Sequence, residues 1–129
     1  MSRVIHFEIH ATDPESLISF YSSLFGWTFQ KWEGPMDYWM ISTGPSDQPG
    51  IDGGLVVRRG DAPSPNQPVT SFVCTINVPS AESSLAQALS LGAELAVPVM
   101  SIPSVGYLCY AKDPNGNLFG MMQSDSAAS

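Results

Sequence analysis

His6, Glu8 and His10 alternate with Phe7 and Ile9 near the start of the chain. Imidazole and carboxylate are the side chains that bind divalent metals and exchange protons near neutral pH. An alternating pattern of this kind is that of a strand, so the three project from one face and Ile5, Phe7 and Ile9 from the other. At about 3.3 Å per residue, the Cα atoms of His6 and His10 lie roughly 13 Å apart. Metal–nitrogen bonds of about 2 Å do not join both rings to one ion unless the strand bends. Either histidine with Glu8 could chelate, but a third ligand would have to be an acid or a cysteine, because the chain has two histidines. The alternative is acid–base chemistry by His6 and Glu8 on a bound molecule. The bland alternative is that both are polar lining, satisfied by Arg58, Asn77 or water. His10, nearer the strand end, reads as a solvated side chain.

Tyr38, Trp39, Tyr107, Tyr110 and Met122 form a second set. They read either as an aromatic and thioether pocket for a flat or apolar ligand, or as core or dimer interface. Other chemistries find no support. Gly50, Gly53 and Gly54 fit no phosphate-binding loop, there is no nucleophile elbow, and two histidines on one strand build no Ser-His-Asp set.

The chain of 129 residues fits one domain or two small modules. A formal net charge of −7, from five Lys and Arg against twelve Asp and Glu, argues against nucleic-acid partners and anionic membrane surfaces. A neutral or cationic ligand is compatible with it. No secretory leader pattern and no apolar run of membrane-spanning length is present, which points to a cytoplasmic chain. Cys74 and Cys109 form no C-x-x-C pair and lie in strand-like runs, so buried free thiols are expected.

The elements needed to position these residues repeat. The stretch 4–10 reads as a strand, followed by an Asp13 N-cap with Pro14 at the first helical position. Leu17, Phe20, Tyr21 and Leu24 recur at helical spacing until Gly26. Strands follow around residues 27–29, 38–41 and 55–57. The second half repeats the order. The stretch 72–78 is a strand with Phe72, Cys74, Ile76 and Val78 on its apolar side and Val73, Thr75 and Asn77 on the other. Ser80 caps a helix whose face carries Leu85, Ala88 and Leu89, and residues 94–97 and 107–110 are strands. Asp113-Pro114-Asn115-Gly116-Asn117 supplies the turn chemistry that launches the last strand, residues 118–123. Each half is β-α-β-β-β: module one spans about 1–59, a linker about 60–68, module two about 69–124, and residues 125–129 are a frayed tail.

His6-Phe7, Asp13-Pro14, Phe20 to Trp27, Gly53-Gly54 and Asp113 to Gly120 resemble, in order and spacing, the vicinal oxygen chelate superfamily of glyoxalase, bleomycin-resistance and extradiol dioxygenase proteins. The resemblance implies a single α+β domain of two paired βαβββ modules, whose curled eight-stranded mixed sheet forms an open ligand cup, and a homodimer. It implies that Gly54, Val56 and Arg58, and Leu118, Gly120 and Met122, line the cup. Of the family's four metal positions, the first matches His6. The second, an acid, falls on Gly54; the third, a histidine, on or next to Val73; the fourth, an acid, on Gly120. The implied member is depleted of metal ligands, with no cofactor expected. The reading is a small organic ligand held by His6, Glu8, Trp39, Gly54, Arg58, Val73, Thr75, Tyr107, Gly120 and Met122. The alternatives are a lyase, isomerase or dioxygenase using His6 and Glu8 with or without a divalent metal, and a non-catalytic interaction module.

Overall fold

The computed structural model describes residues 2–129. The chain divides into two compact units, the first through Ala62 and the second from Pro63. The boundary falls inside the proline- and glycine-rich stretch read as the linker.

In the first unit the order is β1 (Phe7–Ala11), α1 (Pro14–Phe25), β2 (Thr28–Lys31), β3 (Tyr38–Ser42) and β4 (Gly53–Val57). In the second it is β5 (Thr75–Asn77), α2 (Ala81–Ser90), β6 (Glu94–Ile102), β7 (Gly106–Lys112) and β8 (Leu118–Ser124). The eight strands form two four-stranded mixed sheets with the same topology, β1-β4-β3-β2 and β5-β8-β7-β6. In each, the first strand pairs parallel with the last and the other pairings are antiparallel. This is the α+β, twice βαβββ architecture.

Both helices start and stop where their cap residues require. The Asp13 carboxylate accepts from the Ser16 N–H, and the Ser16 hydroxyl donates back to the Asp13 carbonyl at 2.9 Å. Gly26 closes α1 in the left-handed conformation, φ 73°, its N–H on the Ser22 carbonyl. Leu17, Phe20 and Tyr21 are buried against the sheet, and Phe7, Tyr21, Phe25 and Trp27 make a contiguous aromatic cluster, with Tyr21 and Trp27 stacked at 5.2 Å. In the second unit the buried helix residues are Ala81 and Ala88; Leu89, expected on the core face, is exposed. The Ala81 N–H at the start of α2 is satisfied by the Gln123 side chain of β8 at 3.0 Å.

The opening strand of each module is shorter than its apolar alternation predicts. β1 starts at Phe7, leaving Val4 and Ile5 exposed, and β5 starts at Thr75, leaving Phe72 exposed and Val73 outside the strand. In the first module a parallel strand extends only as far as its partner, and β4 begins at Gly53 opposite Phe7. In the second, β8 begins at Leu118, two residues before the Gly120 that pairs with Thr75, so only Phe72 lies beyond the partner's end. Cys74, expected to be buried, is exposed, although its carbonyl still accepts from Gly120 N–H at 2.9 Å. β6 runs longer than expected, to Ile102, because it is an edge strand that tolerates Pro98 within an irregular register between Leu95 and Met100.

The C-terminal residues are docked, not frayed. Asp125 N–H donates to the Val105 carbonyl, Ser104 N–H donates to the Ala128 carbonyl, and Ala128 is buried. The turn before β8 is built around a buried carboxylate. Asp113 Oδ1 accepts from the N–H groups of Asn115 and Asn117 at 2.9 and 3.0 Å, and Oδ2 accepts from the Asn117 amide at 2.9 Å. Gly116 takes the positive φ, 88°, that closes the loop.

Replacing Asp113 by alanine strands these donors in a buried turn, so Asp113→Ala is expected to lower the unfolding free energy by about 2–4 kcal/mol, read from the urea midpoint. The two thiols are expected to separate under a thiol reagent at neutral pH. Burial pushes the Cys109 thiol up, only partly offset by its bond to the Met121 carbonyl. A raised pKa leaves less thiolate, so Cys74 reacts promptly and Cys109 only once the protein unfolds.

Candidate functional site

Register sorts the first sheet into two faces. On one lie Ile9, Trp39, Ile41 and Leu55, the side of the core that α1 covers. On the other lie Glu8, His10, Gln30, Tyr38, Met40, Gly54 and Val56. Glu8 stands directly opposite Gly54, and Gly54 directly opposite Met40.

His6 and Glu8 are both exposed, and each has a partner other than the one expected. His6 Nε2 lies 3.3 Å from the Tyr38 hydroxyl, and Glu8 Oε1 lies 3.4 Å from His10 Nε2. Arg58, just past β4, is drawn to the end of β1: Nε donates to the Thr12 hydroxyl at 3.1 Å and a terminal nitrogen to the His10 carbonyl at 2.9 Å. The structure therefore pairs His6 with a phenol, and Glu8 with an imidazole two residues away on the same strand.

Gly54 is not an open notch. Tyr38 pairs with Val56 in register, and its ring reaches diagonally across β4 to His6. A Cβ added at Gly54 would overlap the Tyr38 hydroxyl and ring. The neighbouring Gly53 is covered on the opposite face, where a Cβ would lie 2.5 Å from the Phe7 carbonyl and 2.7 Å from the Phe7 ring. In the second unit Gly120 is enclosed in a similar way. A Cβ there would come within 3.0 Å of both the Thr75 hydroxyl and the Tyr110 ring, and Tyr110 is its cross-strand partner. The space beside both glycines is thus taken by two tyrosines.

The remaining expected site residues divide between the faces. Thr75 and Met122 share the Gly120 face, with Met122 half-buried between Leu108 and Asn77. Tyr107 falls on the opposite face, in phase with the buried Cys109 and Ala111 and paired with the Gln123 that caps α2. Trp39 likewise lies on the helix-facing side, paired with Leu55, with Lys31 Nζ 5.4 Å from its ring centroid. Neither Trp39 nor Tyr107 is brought to the face of His6 and Glu8 or of Gly120. Met40, Trp32 and Met36 were missing from the expected sets, and Tyr38 was named only in the aromatic set and not among the ligand-holding residues. Trp32 sits edge-on to Tyr38 at 6.4 Å and covers Gly34, and Trp32, Met36 and Met40 are each more than two-fifths exposed. Phase would have found Tyr38 and Met40: with Ile41 in the core, Trp39 must go with it and Tyr38 and Met40 must face away. A separate depression in the loop between β3 and β4, lined by Thr43, Pro45, Ser46, Gln48 and Asp52, is shallow and polar, and is closed by Thr43 bonds to Asp52 and Ile51.

The sequence matches the family of glyoxalase-like domains over residues 6–122. The chain belongs to the glyoxalase-like domain family. Among curated proteins none matches the chain. Several solved structures share its fold. A glyoxalase/bleomycin resistance protein/dioxygenase family enzyme from Burkholderia phytofirmans is 18% identical, with a TM-score of 0.67, over 93% of this chain and 97% of that one. The fosfomycin resistance protein FosX from Listeria monocytogenes is 13% identical with a TM-score of 0.74, over 97% and 93%. TnmS3, an antibiotic binding protein from a Streptomyces species, is 21% identical with a TM-score of 0.64, over 97% and 98%.

A divalent ion of the kind the family's metal positions imply finds few donors in this chain. Gly54 and Gly120 supply none, Val73 supplies none, and His6 Nε2 is already 3.3 Å from the Tyr38 hydroxyl. Among the described residues no three His, Cys, Asp or Glu side chains are grouped to hold a metal ion. The residues do not fit that ion.

The Gly54 contact gives a double-mutant test. Gly54→Ala is expected to cost about 1–3 kcal/mol in the denaturant midpoint, because its methyl must displace the Tyr38 ring. Combined with Tyr38→Ala, the cost of Gly54→Ala is expected to fall, and the two effects to be non-additive.

Proposed function

We propose that this protein binds a small organic molecule, without a metal, on the face of the first sheet that carries Tyr38, Met40 and Glu8. The observation that carries the reading is the exposure of Trp32 and Met40 beside the polar groups of His6, Tyr38 and Glu8. Large apolar side chains left in water next to a few directed polar groups are what a ligand site offers: contact area from the ring and thioether, orientation from hydrogen bonds. Glu8 favours a cationic or hydrogen-bonding group on the ligand. The descriptions of TnmS3 as an antibiotic binding protein and of FosX as a fosfomycin resistance protein support a small-molecule role on this fold. A homodimer accompanies the reading as an implication of the family resemblance, and a cytoplasmic location as the sequence's own expectation.

The enzymatic reading requires His6 and Glu8 to work on one molecule. Their present partners, Tyr38 and His10, support binding over proton transfer between them.

The test is a titration of tryptophan fluorescence with bleomycin, fosfomycin and a panel of planar antibiotics, with and without chelator. Saturable binding is expected, unaffected by chelator, and weakened about five- to tenfold by Trp32→Ala or Met40→Ala. Affinity unchanged in both variants, or turnover abolished by chelator, would overturn the reading.

A further inference from the structure

We propose that Tyr38 closes the first sheet's metal position and converts it into a phenol–imidazole site, so that an oxygen of the bound molecule meets the Tyr38 hydroxyl where an ion would otherwise stand. The inference rests on the ligand-binding reading for the oxygen, but not for the exclusion of metal.

Two observations converge on Tyr38. Its hydroxyl and ring fill the volume into which any side chain at residue 54 would project, so a carboxylate cannot enter there while the ring stays. The same hydroxyl lies 3.3 Å from His6 Nε2, the one retained ligand position, and so uses the nitrogen a metal would need. An ion competing for that nitrogen must displace a phenol and finds no carboxylate at residue 54 in exchange. Two or more further ligands are needed to hold it, and the nearest acid on this face, Glu8, is engaged by His10.

The arrangement also has a polar use. A hydroxyl has one proton and two lone pairs, and a neutral imidazole has one N–H and one lone pair. With His6 Nε2 protonated and donating to the Tyr38 oxygen, the Tyr38 O–H remains for an acceptor, and this is the arrangement the proposal takes. A carbonyl or phenolate oxygen is the ligand group that fits. The edge-on ring of Trp32 and the thioether of Met40 lie beside Tyr38 and opposite Gly54 respectively, as apolar walls for the body that carries it.

Cobalt(II) serves as the probe for the exclusion of metal, because its visible absorption reports coordination. Chelator-stripped protein is titrated as the unaltered chain, as Tyr38→Ala/Gly54→Glu, and as that double variant carrying His6→Ala. The double variant, which sets a new carboxylate beside Glu8 and His6, is expected to bind cobalt at least about tenfold more tightly than the unaltered chain, with the gain lost on His6→Ala. Stoichiometric, His6-dependent cobalt binding by the unaltered chain would overturn the proposal, as would a folded double variant that binds no better. If the double variant does not fold, Tyr38→Phe keeps the ring and removes only the hydroxyl. Its His6 Nε2 resonance in a nitrogen-15 spectrum is expected to move while that of His10 stays, and an unmoved His6 resonance overturns the pairing. For the ligand oxygen, 4-nitrophenolate is the probe. Its binding is expected to weaken about tenfold in Tyr38→Phe, and equal affinity in the two proteins overturns that part. Cobalt and resonance readouts need no ligand, so failure of the ligand-binding reading alone would leave them unaffected.

Discussion

The parallel pairing of the first strand with the last in each module governs the rest. Parallel neighbours cannot be joined by a tight turn; the chain must cross over, and here it does so through a helix and two intervening strands. The crossover helix covers one face and commits the apolar phase of every strand to it: Leu55, Ile41 and Ala11 in the first module, Met121, Cys109 and Ala111 in the second. The other face is left to whatever residues occupy the alternate phase. Because side chains alternate with period two, a slip of one residue in β1 against β4 would bury Glu8 and expose Ile9. The position of Glu8 opposite Gly54 is therefore fixed by the helix on the far side of the sheet.

That uncovered face is shaped by glycine and aromatic side chains acting together. Gly53 and Gly54 are adjacent, and each accepts an aromatic ring on its own face, Phe7 on one and Tyr38 on the other. A glycine within a strand weakens it, through backbone entropy and the missing side-chain contact. A ring laid over it restores buried apolar area at the same point. Gly120 under Tyr110 repeats the device in the second module. The two sheets thus converge on one local solution, glycine beneath tyrosine, by different geometry: a diagonal reach for Tyr38 and a direct cross-strand pair for Tyr110.

The repeat, the helix caps and the closing turn were legible in the sequence because each is a local rule. Asp13-Pro14 and Gly26 bound a helix by side-chain and φ requirements alone, and Asp113 to Asn117 carries its own hydrogen-bond partners within the turn. Strand lengths were not legible, since Val4, Ile5 and Phe72 have the apolar character of a strand but lie beyond the ends of their partners. The same holds for the site. His6, Glu8 and Gly54 could be placed on a face from alternation, whereas the pairing of His6 with Tyr38 joins residues 32 apart in sequence and depends on how far a ring leans. Trp39 and Tyr107 were drawn into the expected site by residue type, and the core phase of Ile41 and Cys109 takes them out of it.

The interlock of Tyr38 with Gly54 bears on how this chain can change. An acid at residue 54 is blocked while tyrosine stands at 38, and loss of the tyrosine alone uncovers a glycine and deprives His6 of its partner. Each single step toward a carboxylate is penalised, although the two together need not be. The route from this pair to a carboxylate at residue 54 therefore runs through two coupled substitutions, with Tyr38 replaced before or together with Gly54.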